Sequence, residues 1–198
     1  MKKIKGTPLR VSGAALVAIS LGMFACSGVA LADGGGGTSG LLASGFLTLS
    51  IGVIMFGSSS VSDRADTSVA LASVAWSWLA VSIAGALPFL MTGSIAWTHF
   101  DDALFESVSG FTCTGSTILS DIEAVPRGVL FFRSMMQWFG GMGLIVLAVA
   151  VLPALKIGGL ELIANEAPGP TADRLTPRVT DTARRLWLLY GGITLVMI

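Results

Sequence analysis

Residues 100–117 read FDDALFESVSGFTCTGST, and their reading decides the fold. Phe100–Phe111 is amphipathic and too short to cross a membrane. At about 1.5 Å per residue it covers about half of a roughly 30 Å hydrocarbon core. Thr112-Cys113-Thr114-Gly115-Ser116 follows at once, a run of small polar residues around one glycine. Beyond a polar loop and Pro126, the run Gly128–Leu152 is long enough to span. A half-helix, a small-residue turn and a full helix are the parts of a re-entrant pore loop. Such a loop aims backbone carbonyls at a cation.

The residues inside the stretch fit that use. Leu104, Val108 and Phe111 recur at i, i+4 and i+7, giving the half-helix one apolar face for packing between spans. Its C-terminal end, the negative end of the helix dipole, points at Thr112. Gly115 permits a positive φ. The carbonyls of Thr112, Cys113, Thr114 and Gly115 are the candidate ligands of a dehydrated monovalent cation, with Cys113 and Thr114 at its centre. Taken alone, TCTGS is also an ordinary turn; its place after a half-helix makes it a candidate filter. In the following helix Arg133 and Gln137 share a face at i, i+4, and Gly140, Gly141 and Gly143 remove side chains where another segment approaches closely. An intramembrane arginine is a functional candidate, but Arg133 lies near the helix end, so all five residues are assigned to support of the pore loop.

Composition sets the class. The 198 residues are 53% hydrophobic and only 12% charged. Soluble domains carry about 25% charge, so the chain reads as an all-α membrane protein. Zero net charge and the lack of a basic block exclude nucleic acid as a partner. Cys26 and Cys113 stand in different apolar contexts and indicate no disulfide framework. An intramembrane hydrolase would need Ser109, Ser116 or Cys113 as nucleophile and His99, the single histidine, as base. Ser107-Val108-Ser109-Gly110 lacks the first glycine of a G-x-S-G turn and His99 lies upstream in a loop, so no enzyme is expected. A structural or assembly subunit of another transporter remains the alternative, for which a filter-like turn is not required.

Working outward, Lys2, Lys3, Lys5 and Arg10 precede an apolar run, Val11–Ala32. The basic start and Ala30-Leu31-Ala32 before Asp33 suit a cleavable signal peptide, but the run exceeds the usual apolar region of about 7–15 residues. A second run, Gly40–Gly57, follows the glycine turn 34–37, and a transmembrane hairpin is preferred. Residues 58–67 form a polar loop, and Ser68–Gly93 is the third span, with Pro88 near its end. With a cytoplasmic N-terminus, Lys2, Lys3, Lys5, Arg10, Arg64, Lys156, Arg174, Arg178, Arg184 and Arg185 all lie inside, leaving only Arg127 and Arg133 outside, as the positive-inside rule asks. Asp101, Asp102, Glu106, Asp121 and Glu123 then surround the loop as an acidic outer mouth, concentrating cations. Residues 154–185 are cytoplasmic, broken by Ala167-Pro168-Gly169-Pro170 and Thr176-Pro177-Arg178. A last apolar run begins at Leu186 and is still running at Ile198.

DALFESVSGFTCTGST (102–117), RSMMQWFGGMGLIVLAVAVLP (133–153), GGLELIANEAPGP (158–170) and LTPRVTDTARRLW (175–187) resemble, in order and spacing, the TrkH/TrkG-type potassium uptake proteins of the Trk/Ktr/HKT superfamily. The resemblance covers nearly the whole chain. It implies a helical hairpin followed by four helix–pore-loop–helix repeats around one pore, with Thr112, Cys113, Thr114 and Gly115 as the first of four filter strands. Potassium is the implied substrate, carried passively or by symport with protons or sodium in the bacterial inner membrane. A homodimer and a cytosolic nucleotide-binding subunit of the TrkA type, docking at 154–185, are implied partners. The family usually has threonine where Cys113 stands. One strand cannot enclose an ion, so these 198 residues are expected to be part of a longer protein: a hairpin (1–67), one repeat (68–153), a cytoplasmic loop (154–185) and the start of a second repeat (186–198).

Overall fold

The computed structural model describes residues 6–58, 67–151 and 175–197. Lys2, Lys3, Lys5, Arg64, Pro153, Lys156, Arg174 and most of the expected docking segment lie outside them. Every regular element described is helical: α1 (Gly6–Ala32), α2 (Thr38–Gly57), α3 (Thr67–Met91), α4 (Phe100–Phe111), α5 (Arg127–Val151) and α6 (Leu175–Met197), with a 3₁₀ turn at Trp97–His99 before α4. The chain divides into two compact units, Met1–Gly140 and Gly141–Ile198. Among the described residues, Thr7–Ala32, Thr38–Gly57 and Ser68–Met91 are long and apolar enough to cross a membrane. The chain is an all-α membrane protein.

In the first unit, α1 and α2 form an antiparallel hairpin. Gly34, Gly35 and Gly37 all have positive φ, of 95°, 83° and 76°, and the Gly35 N–H bonds back to the Ala30 carbonyl at 2.8 Å, closing the end of α1. Small residues then let the two backbones touch. A Cβ on Gly13 would stand 2.7 Å from the Phe56 nitrogen and 2.8 Å from the Gly52 carbonyl oxygen. Without water to drive association inside a bilayer, such close packing is what holds neighbouring helices together. Helix α3 crosses the hairpin at both ends: Gly40 meets the Met91 backbone, and Ser12 and Ser77 share a hydrogen bond of 3.2 Å. Pro88 lies inside α3, whose end is closed by the N–H and hydroxyl of Thr92, both donating to the Pro88 carbonyl.

The start of α5 wedges against the hairpin, where a Cβ on Gly128 would stand 2.6 Å from that of Ala30. Met23, Cys26, Leu41, Phe89, Leu90, Val129, Phe132 and Met136 form the common core. Arg127 Nη1 reaches Asp33 Oδ1 at 2.9 Å across the hairpin turn, but the two side chains are 77% and 39% exposed. Exposed pairs contribute about 0–1 kcal/mol. Arg127→Ala is therefore expected to leave the thermal midpoint of the purified protein within a degree or two, a difference that vanishes at high salt.

In the second unit α6 differs from the expected boundary. Thr176-Pro177-Arg178 does not break a helix but opens one, and α6 takes in Arg178, Arg184 and Arg185 before the apolar run. The reason is position: proline in the first turn removes an N–H that has no intrahelical acceptor anyway. The apolar end of α6 is exposed, with Leu188, Leu195 and Val196 among its outermost side chains.

Candidate functional site

Helix α4 carries the loop, and its buried face is not the apolar one. Phe105 and Val108 are exposed, whereas Ala103, Glu106, Ser107, Gly110 and Phe111 are buried. Of the expected face Leu104/Val108/Phe111, only Phe111 is buried. The stripe that turns inward is the one whose small residues admit close neighbours. Ser107 Oγ donates to the Ser82 carbonyl of α3 at 2.7 Å, a Cβ at Gly85 would run into Ser107 Oγ, and one at Gly110 would press Met136 of α5 at 3.1 Å. At the end of α4 the Phe111 carbonyl lies so near Gly140 that a Cβ there would overlap its oxygen. Gly140, expected to leave room for an approaching segment, faces the Phe111 backbone at the end of α4. Gly141 and Gly143 belong to the second unit.

The helix ends in a tight winding that leaves the loop in the open. Thr112 N–H donates to the Val108 carbonyl, Cys113 N–H to Gly110 and Thr114 N–H to Ser109, at 2.9, 3.1 and 3.1 Å. The Val108, Ser109 and Gly110 carbonyls near the end of α4 are thereby satisfied. Cys113 is the one non-glycine residue with positive φ among those described, at 56°, and Gly115 follows at 77°. No atom lies within 4 Å of a Cβ built on Gly115, so its glycine is required by backbone conformation and not by space. Residues 112–117 are all exposed. Among the described residues no hydrogen bond takes the carbonyls of Thr112, Cys113 or Thr114. The Gly115 carbonyl instead accepts Arg133 Nη2 at 3.2 Å. Of the four residues expected to present carbonyls to an ion, Gly115 is thus the one whose oxygen is engaged by a cationic side chain.

Glu106 is the largest departure from the sequence reading. The sequence places it in the acidic outer mouth, but its side chain is fully buried and paired with Arg133, whose Nε donates to Oε1. Its other oxygen accepts Thr117 Oγ1 at 3.0 Å and the Ile118 N–H at 3.2 Å. Burying a lone carboxylate in an apolar setting is prohibitive, so the ion pair and two further donors are the condition for its place. Arg133 in turn spreads over three acceptors: Glu106 and the carbonyls of Gly115 and Ser116, the last two at 3.2 Å. Ser109 Oγ also donates to the Ser116 carbonyl, and Cys113 Sγ donates to the Gln137 carbonyl at 3.2 Å. Ser109 and Thr117 act as further tethers; the signal in the sequence for the pair is one carboxylate, Glu106, beyond the first turn of α4 and one arginine, Arg133, beyond the first turn of α5.

The remaining acidic residues stay at the surface. Asp101, Asp121 and Glu123 are exposed and Asp102 is half-buried. Asp121 Oδ1 accepts the N–H groups of Glu123 and Ala124, shaping the return to α5. His99 Nδ1 lies 3.7 Å from Asp102 Oδ2, while Ser109 and Cys113 donate to backbone carbonyls. The Ser109 and Cys113 side chains thus serve the loop's shape.

Residues 43–198 match the family model TrkH, described as cation transport protein. The chain belongs to the TrkH family. It is 47% identical over 118 residues to the Trk system potassium uptake protein TrkH of Halomonas elongata, and 49% identical over 118 residues to that of Escherichia coli K12, in each case 59% of this chain and 24% of the relative. The TrkG potassium uptake protein of E. coli K12 is 49% identical over 115 residues. The crystal structure of the potassium transporter TrkH from Vibrio parahaemolyticus superposes with a TM-score of 0.77 and 32% identity, over 99% of this chain and 38% of that one. The matched part spans about a quarter of the length of these TrkH-family relatives. The family is one of transporters, not of enzymes.

Proposed function

We propose that this chain contributes the first selectivity-filter strand of a potassium transporter, within a longer TrkH-family protein. The relatives' names supply the ion, and one observation carries the assignment to a residue. Thr112–Thr114 form an exposed turn at the C-terminal end of a half-length helix, with their carbonyls free of partners among the described residues while the flanking Gly115 and Ser116 carbonyls are tied back to Arg133. In this reading Thr112, Cys113 and Thr114 offer oxygens that replace part of the hydration shell of K⁺. Gly115 contributes mainly through its φ. Asp101, Asp102, Asp121 and Glu123 form the acidic mouth on the outer side, and the N-terminus is cytoplasmic in the inner membrane, in keeping with the lysine and arginine distribution. A TrkA-like subunit at 154–185 and a homodimer follow from the family resemblance. An assembly subunit without a pore of its own is the weaker reading, since it has no use for a tethered, exposed turn.

The test uses the full-length protein in a bacterium stripped of its own potassium uptake systems. Growth on limiting potassium and rubidium uptake are expected to be restored. Failure of both, with a cytosolic nucleotide-binding subunit co-expressed, would overturn the potassium reading.

A further inference from the structure

Resting on that reading, we infer that Glu106 and Arg133 are positioning residues that set how tightly the filter strand holds its cation. The arginine is needed mechanically. It is the one side chain among those described that reaches both the Gly115 and the Ser116 carbonyls, and through Nε it joins them to α4. A planar guanidinium can hold three acceptors at fixed angles, which an ammonium group cannot. Its charge, however, has the wrong sign for the site. A full positive charge bonded to the carbonyls that directly follow the coordinating ones opposes a cation bound to the strand. Glu106 resolves the conflict. Being fully buried, it is little screened by water, so its negative charge cancels that of Arg133 where the cancellation counts. Both of its oxygens are bound, and Oε2 also pins Thr117 and Ile118 just past the strand. The pair is therefore a neutral clamp: it takes the Gly115 and Ser116 carbonyls out of play and adds no net charge to the site.

Glu106→Gln separates the two contributions, because glutamine keeps the shape and an acceptor oxygen but leaves Arg133 uncompensated. In the full-length protein, at matched membrane amount, the KM for rubidium is expected to rise by about tenfold or more with a smaller change in maximal rate. Glu106→Gln combined with Arg133→Gln removes the stray charge and is expected to recover much of that KM. The double variant is also expected to discriminate poorly against sodium, since the carbonyls are released. Arg133→Lys serves if Glu106→Gln fails to reach the membrane. It keeps the charge balance but not the fork, so KM is expected to change less than selectivity, with the rubidium-to-sodium preference falling several-fold. A purely structural pair would lower the amount of protein and the maximal rate in proportion, with KM and ion preference unmoved. That result overturns the clamp while leaving the potassium reading intact. A wild type that carries no rubidium brings down both.

Discussion

Full-length protein carrying Gly115→Ser is expected to reach the membrane in near wild-type amount and yet to lose the preference for potassium and rubidium over sodium proposed above. The structure separates these two effects. Gly115 sits at φ 77° with no atom within 4 Å of where a Cβ would be, so the substitution meets no steric obstacle to folding. The left-handed conformation itself costs an L-residue about 1–2 kcal/mol. A loop exposed on every residue from 112 to 117 can relieve that strain by turning the peptide on either side of residue 115. Such a rotation moves the Thr114 carbonyl out of line and pulls the Gly115 carbonyl from Arg133. A change of about 1.4 kcal/mol in relative ion affinity is tenfold in selectivity, so a modest rearrangement is enough for a large functional loss. Rubidium uptake measured with and without competing sodium checks this. If uptake and selectivity both match wild type, residues 112–116 are a turn and nothing more.

Gly140→Ala is expected to act in the opposite way, by removing folded protein. An alanine Cβ there would overlap the Phe111 carbonyl oxygen and stand 2.7 Å from the Phe111 carbonyl carbon. Both obstacles are backbone atoms, so no side chain can swing aside. Helix α5 has to withdraw from the end of α4, and with it go the Arg133 bonds and the contact of Cys113 Sγ with the Gln137 carbonyl. Overpacking of this kind typically costs about 1–3 kcal/mol, occasionally more, and the expectation here is the upper end. The check is the yield of monodisperse protein and its thermal midpoint in detergent, beside Gly28→Ala. Gly28 lies in α1 with no atom within 4 Å of its Cβ position, so that variant is expected to be neutral or slightly more stable. Equal behaviour of the two alanine variants would show that α4 and α5 do not meet at Gly140.

Both variants probe glycines that the sequence already marks, but for different reasons. That Gly115 adopts positive φ is legible from its setting in a polar turn. That Cys113 does so too, at 56°, is not, because nothing in the residue type favours it. The conformation is held by the Cys113 and Thr114 N–H groups winding back onto α4 and by the thiol's bond to the Gln137 carbonyl, a contact made only once α5 is in place.

The apolar runs by themselves determined the class and the helices. Continuous apolar runs of about 20 residues fit a membrane-spanning helix and are about twice the length of a barrel strand, and the glycines at 34–37 mark where the first two turn back on each other. The length of Phe100–Phe111 likewise marks α4 as a half-length helix, and family membership follows from residues in order. Only the tertiary structure decided which face of α4 is buried and where Glu106 belongs. Periodicity measures how a helix presents its own side chains, whereas burial of Glu106 depends on Arg133, far along the chain and on another helix. A carboxylate read alone is placed in water because desolvating it is so costly. Two opposite charges that fold brings together share that cost, and no local pattern records that they will meet.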